Sequence, residues 1–246
     1  MQSAHVRPAG WRKRPYMKKL VIIPAYNERG NILKTVEDVK KNAPDFDYVV
    51  INDCSTDDTL SLCREHGVHV IALPINLGIG GGVQTGYRYA YEKGYDCAAQ
   101  FDGDGQHNAA YLSEMAKKLE TEGLDMVIGS RYIEKKGFQS SGLRRAGIRY
   151  FTWLIKVLTG KRITDPTSGM RLCNRRMIEW FASDYPRDYP EPESVTAALK
   201  SGMKVEEVPV EMNERATGVS SISAVNSVYY MIKVSIAVLM ATARKK

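Results

Sequence analysis

Gln100-Phe-Asp-Gly-Asp-Gly-Gln-His107 is the stretch around which the rest of the chain is organised. Just before it, Asp96-Cys-Ala-Ala-Gln-Phe is a run of small and apolar residues that predicts a short buried strand. Asp102 and Asp104 therefore fall at or just beyond a carboxyl strand end, the edge at which open α/β sheets hold their ligands. Gly103 and Gly105 let the backbone turn sharply, so both carboxylates can reach one hard cation, which prefers oxygen ligands. A magnesium-type site completes its shell with substrate phosphates and water, so the pair points to a phosphorylated substrate. The competing reading is a solvated Asp-Gly turn. An EF-hand calcium loop fails, because His107 stands at its glycine position and Ser113 at its glutamate position.

Working outward, the chain alternates strand and helix. Leu20-Val-Ile-Ile-Pro-Ala predicts a buried first strand, and Asn27-Glu-Arg-Gly-Asn starts a helix with Ile32, Leu33, Val36 and Val39 on one face. Tyr48-Val-Val-Ile-Asn-Asp is a second strand, followed by a helix capped by Ser55 or Thr56, carrying Asp57 and Asp58 in its first turn and stopping at Gly67. Val68 to Leu73 is a third strand, and after Asn76-Leu-Gly-Ile-Gly-Gly-Gly a helix runs to about Lys93. A helix over 109–121 and a strand from Asp125 to Gly129 continue the pattern. Short connections and apolar strands imply a parallel sheet with helices on both faces. From Arg131 to Gly142 the alternation gives way to a basic loop that enters an aromatic-rich helix. Further helices are expected from about Asn174 and near Pro192, and Lys204 to Val210 reads as a late edge strand, where Pro209 is tolerable.

Composition bounds the function. A chain of 246 residues is long enough for a sizeable core, and its four cysteines lack a C-x-x-C spacing and follow no recognisable signal peptide, which favours a reduced, cytosolic setting. Arg7, Arg12, Lys13 and Arg14 supply four of the seven net positive charges. Residues 1–16 read as an extension ahead of Met17, and the remaining charge suits anionic substrates or an anionic membrane but is too small to argue for nucleic acid. In the glycine run 78–82 the G-x-G-x-x-G spacing fails at Val83 and follows the third strand, which disfavours a dinucleotide-binding dehydrogenase. Close helix packing and direct contact with a phosphate both remain open for those glycines.

Several strand ends carry polar signatures that a parallel sheet would gather at one edge: Pro24-Ala-Tyr-Asn-Glu, Asn52-Asp-Cys-Ser-Thr-Asp-Asp-Thr, Asn76-Leu-Gly, Asp102-Gly-Asp and Gly129-Ser-Arg. In this order and spacing they resemble glycosyltransferase family 2, the inverting nucleotide-sugar transferases of GT-A fold, over about residues 18–218. Asp165-Pro-Thr-Ser-Gly-Met-Arg and Arg215-Ala-Thr-Gly-Val-Ser-Ser are similar to its dolichyl- and polyprenyl-phosphate sugar synthase branch. The resemblance implies a donor of nucleoside diphosphate sugar type, UDP or GDP, with Mg²⁺ or Mn²⁺ held by Asp102 and Asp104. It implies a base and ribose pocket shaped by Pro24, Ala25, Tyr26 and Glu28, with Asp53 accepting from the base, Asn76 and Gly78 nearby, and Gln106 beside the diphosphate. Arg131, with one of Arg144 or Arg145, is expected to neutralise phosphates. Asp165, Arg171, Glu193 and Arg215 are expected at the acceptor, with Glu191 competing with Glu193 because two prolines flank them. The acceptor implied first is a polyprenyl phosphate, and second a hydroxyl of a growing surface glycan. A non-catalytic nucleotide-sugar binding protein is the reading from another class.

From Ser220 to Lys246, Ile222, Val225, Tyr229, Ile232, Ile236, Leu239 and Ala243 recur at helical spacing. Lys233 near the middle would cost roughly 2.5–3.5 kcal/mol in a spanning helix, so residues 219–246 are expected to lie along the inner face of the plasma membrane as a peripheral anchor. Packing on the core or on a second subunit, giving a homo-oligomer, is the alternative.

Overall fold

The computed structural model describes residues 17–134, 142–213 and 224–243, with the side chains of 143, 144, 224–230 and 243 left aside. The expected extension 1–16, the expected boundary at 218 and Arg215 lie outside these residues. Strand β1 (Lys19–Ala25) is buried from Leu20 onward because both of its faces are covered. Leu20 and Ile22 pack to one side, with Tyr87, Ile178, Phe181 and Val195. Val21 and Ile23 pack to the other, with Val36, Val39, Met115 and Leu119. That alternation across a fully covered strand explains why its sequence reads as an unbroken apolar run.

Around β1 the elements are α1 (Ile32–Asn42), β2 (Asp47–Asn52), α2 (Thr59–Glu65), β3 (Val70–Ala72), α3 (Gly78–Glu92) and β4 (Cys97–Gln100). After a single 3₁₀ turn at Ala109–Tyr111 come α4 (Leu112–Thr121), β5 (Met126–Ser130), α5 (Gly142–Thr159), β6 (Arg171–Asn174), α6 (Arg175–Ser183), α7 (Pro190–Lys200), β7 (Val205–Pro209) and α8 (Ala224–Ala243). The seven strands pair in the order β3-β2-β1-β4-β6-β5-β7. The sheet is mostly parallel, as expected of the GT-A architecture, and β7 is an edge strand. It is mixed rather than all parallel because β6 enters antiparallel between β4 and β5.

The first two helices begin later than the sequence suggests. Asn27 takes a left-handed φ of 57°, and its side-chain oxygen accepts the backbone N–H of Thr56 at 2.8 Å. Ser55 Oγ accepts the N–H of Asn27, and Asp57, rather than Ser55 or Thr56, accepts from the first residue of α2. The polar residues at the two strand ends thus stitch the β1–α1 and β2–α2 loops together, and α1 starts only at Ile32. The glycine run serves close packing at two points: a Cβ on Gly80 would lie 2.2 Å from the Pro186 carbonyl oxygen, and one on Gly86 would lie 2.1 Å from Ile22.

α8 is part of the packed structure. Val234 and Val238 are buried against Phe151 and Leu154 of α5. Lys233 pairs with Asp188 at 2.8 Å and sits over the Tyr189 ring, so its charge is met by protein. No helix among the described residues is long and apolar enough to cross a membrane.

Candidate active site

The carboxyl ends of β1, β2 and β4 lie side by side, which brings Pro24–Glu28, Asp53 and Asp102–Gln106 to one edge. The acidic turn presses on the end of β1. A Cβ on Gly103 would lie 2.9 Å from the Pro24 carbonyl oxygen, and Thr35 donates to the Gly103 carbonyl at 3.2 Å. Gly105 takes φ 77°, the left-handed region that glycine enters at no steric cost. Asp104 accepts the N–H of Gln106 at 3.1 Å, and Asn213 donates its N–H to the Gln106 carbonyl, so the described chain after β7 ends beside this turn.

Tyr26 is exposed at the rim, while Pro24 and Ala25 are buried beneath it. Glu28 accepts from Asn31 at 2.9 Å, and its N–H is held by Thr59. Asp53 is buried, and one of its oxygens accepts the N–H of Leu77 at 2.7 Å. Asn76 donates to the Asp53 carbonyl and accepts from Gly78, whose φ of 74° requires glycine. The residues expected from the sequence to hold the nucleotide are therefore contiguous, and hydrogen bonds tie their loops together.

Beneath the acids lies a polar cluster. The Tyr185 hydroxyl donates to Gln100 Oε1 at 3.1 Å, and Gln100 Nε2 faces Asp102 Oδ1 at 3.4 Å and Glu191 Oε1 at 3.5 Å. The two glutamates of α7 lie in different places. Glu191 lies toward the acidic pair, whereas Glu193, expected there, lines a groove of about 1090 Å³ bordered by α6, α7 and α8. The reason is helical geometry, since two residues apart in the first turn of α7 point some 200° apart. Burial pushes the Glu191 carboxyl above its ordinary range, the Asp102 charge adds to this, and Arg171 opposes it.

Three other residues expected at the site are engaged within the protein. Arg171, expected at the acceptor, is 1% exposed. It donates to the Ser168 carbonyl at 2.7 Å, to Ser194 Oγ at 2.7 Å and to the Pro166 carbonyl at 2.9 Å. It braces the Asp165–Gly169 turn against α7. Asp165 is 0% exposed, and both of its oxygens accept from Arg131, itself 7% exposed. Arg131 thus pairs its fork with Asp165 and also donates to Thr167 Oγ1 at 3.2 Å. Burial works against its charge, but the Asp165 carboxylate holds the guanidinium protonated, above its ordinary value.

Glu207 on β7 and His107 were not singled out from the sequence. Glu207 accepts from Thr164 N, Thr164 Oγ1 and Asp165 N at 2.7, 3.0 and 2.9 Å, so it fixes the turn that carries Asp165. The Glu-Glu pair in Lys204-Val-Glu-Glu-Val-Pro was its one sequence signal, a charge inside an otherwise apolar strand. Among the described residues no group of three or more His, Cys, Asp or Glu forms a metal cage. Asp102 and Asp104, both partly exposed, fit a cation whose remaining ligands come from substrate and water.

The profile of Glycosyl transferase family 2 matches residues 20–181. The chain is 31% identical over 232 residues to polyprenol monophosphomannose synthase of Mycolicibacterium smegmatis, covering 90% of this chain and 87% of that protein. It is 28% identical over 216 residues to undecaprenyl-phosphate mannosyltransferase of Micrococcus luteus, covering 84% and 88% of the two chains. Its fold matches a crystal structure of glucosyl-3-phosphoglycerate synthase from Mycobacterium tuberculosis in complex with Mn²⁺, UDP and glucosyl-3-phosphoglycerate, with a TM-score of 0.69 at 16% identity, covering 96% and 88% of the two chains. With its strand-end loops, acidic turn and GT-A sheet, this chain belongs to glycosyl transferase family 2 and resembles, within it, the polyprenyl-phosphate sugar synthases.

Proposed function

We propose that this chain is an inverting glycosyltransferase that moves a sugar from a nucleoside diphosphate sugar, UDP- or GDP-linked, to a polyprenyl phosphate at the cytoplasmic face of the membrane. The observation that carries the reading is the placement of Asp102 and Asp104 at the end of β4, beside the loops after β1 and β2 and next to Glu191. The names of the two relatives support a lipid phosphate as acceptor. A Mg²⁺ or Mn²⁺ ion on the acidic pair supplies charge neutralisation to the departing diphosphate. The chain's own residues do the rest. Pro24, Ala25, Tyr26, Glu28, Asp53, Asn76 and Gly78 bind and orient the nucleoside, Gln106 flanks the diphosphate, and Arg215 meets the acceptor phosphate. Arg131, Asp165 and Arg171 hold the acceptor-side turn in shape.

A surface feature supports the membrane side. Tyr150, Trp153 and Val157 of α5 and Ile232, Ile236, Leu239 and Met240 of α8 are exposed. The two helices touch where the Tyr150 hydroxyl meets Ser235 Oγ at 3.1 Å. Neither helix contains an acidic residue, and Arg145, Arg149 and Lys156 are exposed beside the apolar face. Apolar and aromatic residues rimmed by cations suit an anionic lipid surface.

Transfer to a sugar hydroxyl is the second reading, favoured by Glu191, which points toward Asp102 and can serve as a base. Incubating the full chain with labelled donors, Mn²⁺ and either undecaprenyl phosphate or a glycan acceptor separates the two. Labelled lipid is expected, and Asp104→Asn should abolish both turnover and metal-dependent donor binding without lowering the melting temperature. Turnover retained by that variant at saturating Mn²⁺ would remove the acidic pair from the mechanism.

A further inference from the structure

His107 is 4% exposed and packs edge-on against Phe101, with ring centroids 5.1 Å apart. Its Nδ1 lies 3.0 Å from the backbone nitrogen of Asp102, which donates to it across the acidic turn. A neutral imidazole that accepts at one nitrogen carries its proton on the other. That other nitrogen, Nε2, stands 3.6 Å from Asp102 Oδ2, longer than a full hydrogen bond and close enough to orient the carboxylate electrostatically. On another side of the same carboxylate is Gly169, where a Cβ would lie 2.5 Å from Oδ2. Gln100 Nε2 faces the remaining oxygen, Oδ1, at 3.4 Å.

We infer that His107 is a positioning residue. It closes the Asp102–His107 turn through Nδ1 and holds the polar Nε2 edge of its ring beside Asp102 Oδ2, so that Asp102 is oriented before a cation arrives. The inference rests on the metal-binding reading of the acidic pair. Outer groups that orient a ligating carboxylate typically govern metal affinity about 10- to 100-fold. A structural role limited to packing on Phe101 would leave that affinity unchanged in any folded variant.

The two nitrogens can be tested separately. In His107→Asn the side-chain oxygen can stand where Nδ1 stands, while nothing reaches Oδ2. Mn²⁺ binding to the full chain in the presence of UDP or GDP is measured by calorimetry, with Asp104→Asn as control. The expected result is a folded His107→Asn protein whose Mn²⁺ affinity falls about 10- to 100-fold. Should His107→Asn fail to fold, His107→Phe carries the test, because it keeps an aromatic ring against Phe101 and removes both ring nitrogens. A loss of about 10- to 100-fold in Mn²⁺ affinity in that folded variant supports the inference, and affinity within about threefold of the parent overturns it. Parent-like affinity in folded His107→Asn, with binding abolished in Asp104→Asn, overturns the role of His107 and leaves the acidic pair standing. A parent chain that binds no Mn²⁺ with either nucleotide overturns the acidic-pair reading, and this inference with it.

Discussion

Arg131 grips Asp165 through two parallel hydrogen bonds, Nε to Oδ2 at 2.7 Å and Nη2 to Oδ1 at 2.8 Å, with both side chains almost sealed from water. The contact joins the end of β5 to the turn before β6, the strand that lies between β5 and the acidic strand β4. A charge pair this buried stabilises little relative to apolar packing, but removing one partner strands the other charge.

Asp165→Ala should therefore cost about 3–5 kcal/mol of stability, read as a lower midpoint in urea denaturation. Combining it with Arg131→Met should recover part of that loss. An Asp165→Ala protein with parental stability and no activity would return Asp165 to direct contact with substrate.

The two glutamates of α7 should behave differently. Glu191→Gln is expected to lower kcat, modestly with a phosphate acceptor and by about 10²–10⁴ if a hydroxyl must be deprotonated. Glu193→Gln, on the groove side of the helix, should leave kcat within about threefold of the parent. Equal effects in steady-state kinetics would contradict the orientation of α7.

Glu207 gives a pH signature. Burial raises its carboxyl above the ordinary value of 4.5, although the N–H groups of Thr164 and Asp165 counter this. Its folded-state pKa thus exceeds the unfolded one. Its contribution to stability is full below that ordinary value and is lost as pH rises through the raised value. The stability advantage of the parent over Glu207→Gln should accordingly shrink as pH rises from 4.5 through the raised pKa, followed by thermal melts. A difference that is flat or widens with pH would refute the shift.

On the α5–α8 face, Trp153→Ser combined with Ile236→Ser should weaken binding to anionic vesicles at least about tenfold, since each large apolar side chain moved out of water contributes roughly 1.5–3 kcal/mol. Co-sedimentation reads the change, and neither residue packs in the core. Unchanged vesicle binding, together with a concentration-dependent dimer on gel filtration that the double variant dissolves, would assign the face to a second copy of this chain.

The strands flanking the site were legible because they are buried on both faces, so Leu20–Ile23 and Tyr48–Ile51 stand out as apolar runs whatever their partners. The acidic turn was legible because Asp-Gly-Asp-Gly follows such a run. Strand β6 was not. It has four residues, opens on Arg171, and owes its existence to the slot between β4 and β5 rather than to any period of its own. The fates of Arg131, Asp165 and Arg171 were hidden for a related reason. A charged residue in a loop looks the same in sequence whether it meets a ligand or a partner 34 positions away, as Arg131 meets Asp165. Glu191 and Glu193 were separable only once the start of α7 at Pro190 had fixed the direction of each.

The seven residues from Tyr185 to Glu191 run from the α6–α7 connection into the first turn of α7 and reach in four directions: Tyr185 to Gln100 under the acids, Arg187 to the glycine start of α3, Asp188 to Lys233 on α8, and Glu191 back toward Gln100 and the acidic pair. The last helix therefore cannot be handled as a detachable tag. Cutting the chain before α8 strips the cover from Phe151 and Leu154 and releases Asp188 at once. A shortened protein would report on a disturbed catalytic edge as much as on a lost anchor. Chimaeras that exchange the C-terminal helix between relatives should carry the 185–191 connection with it, as a single transplantable unit.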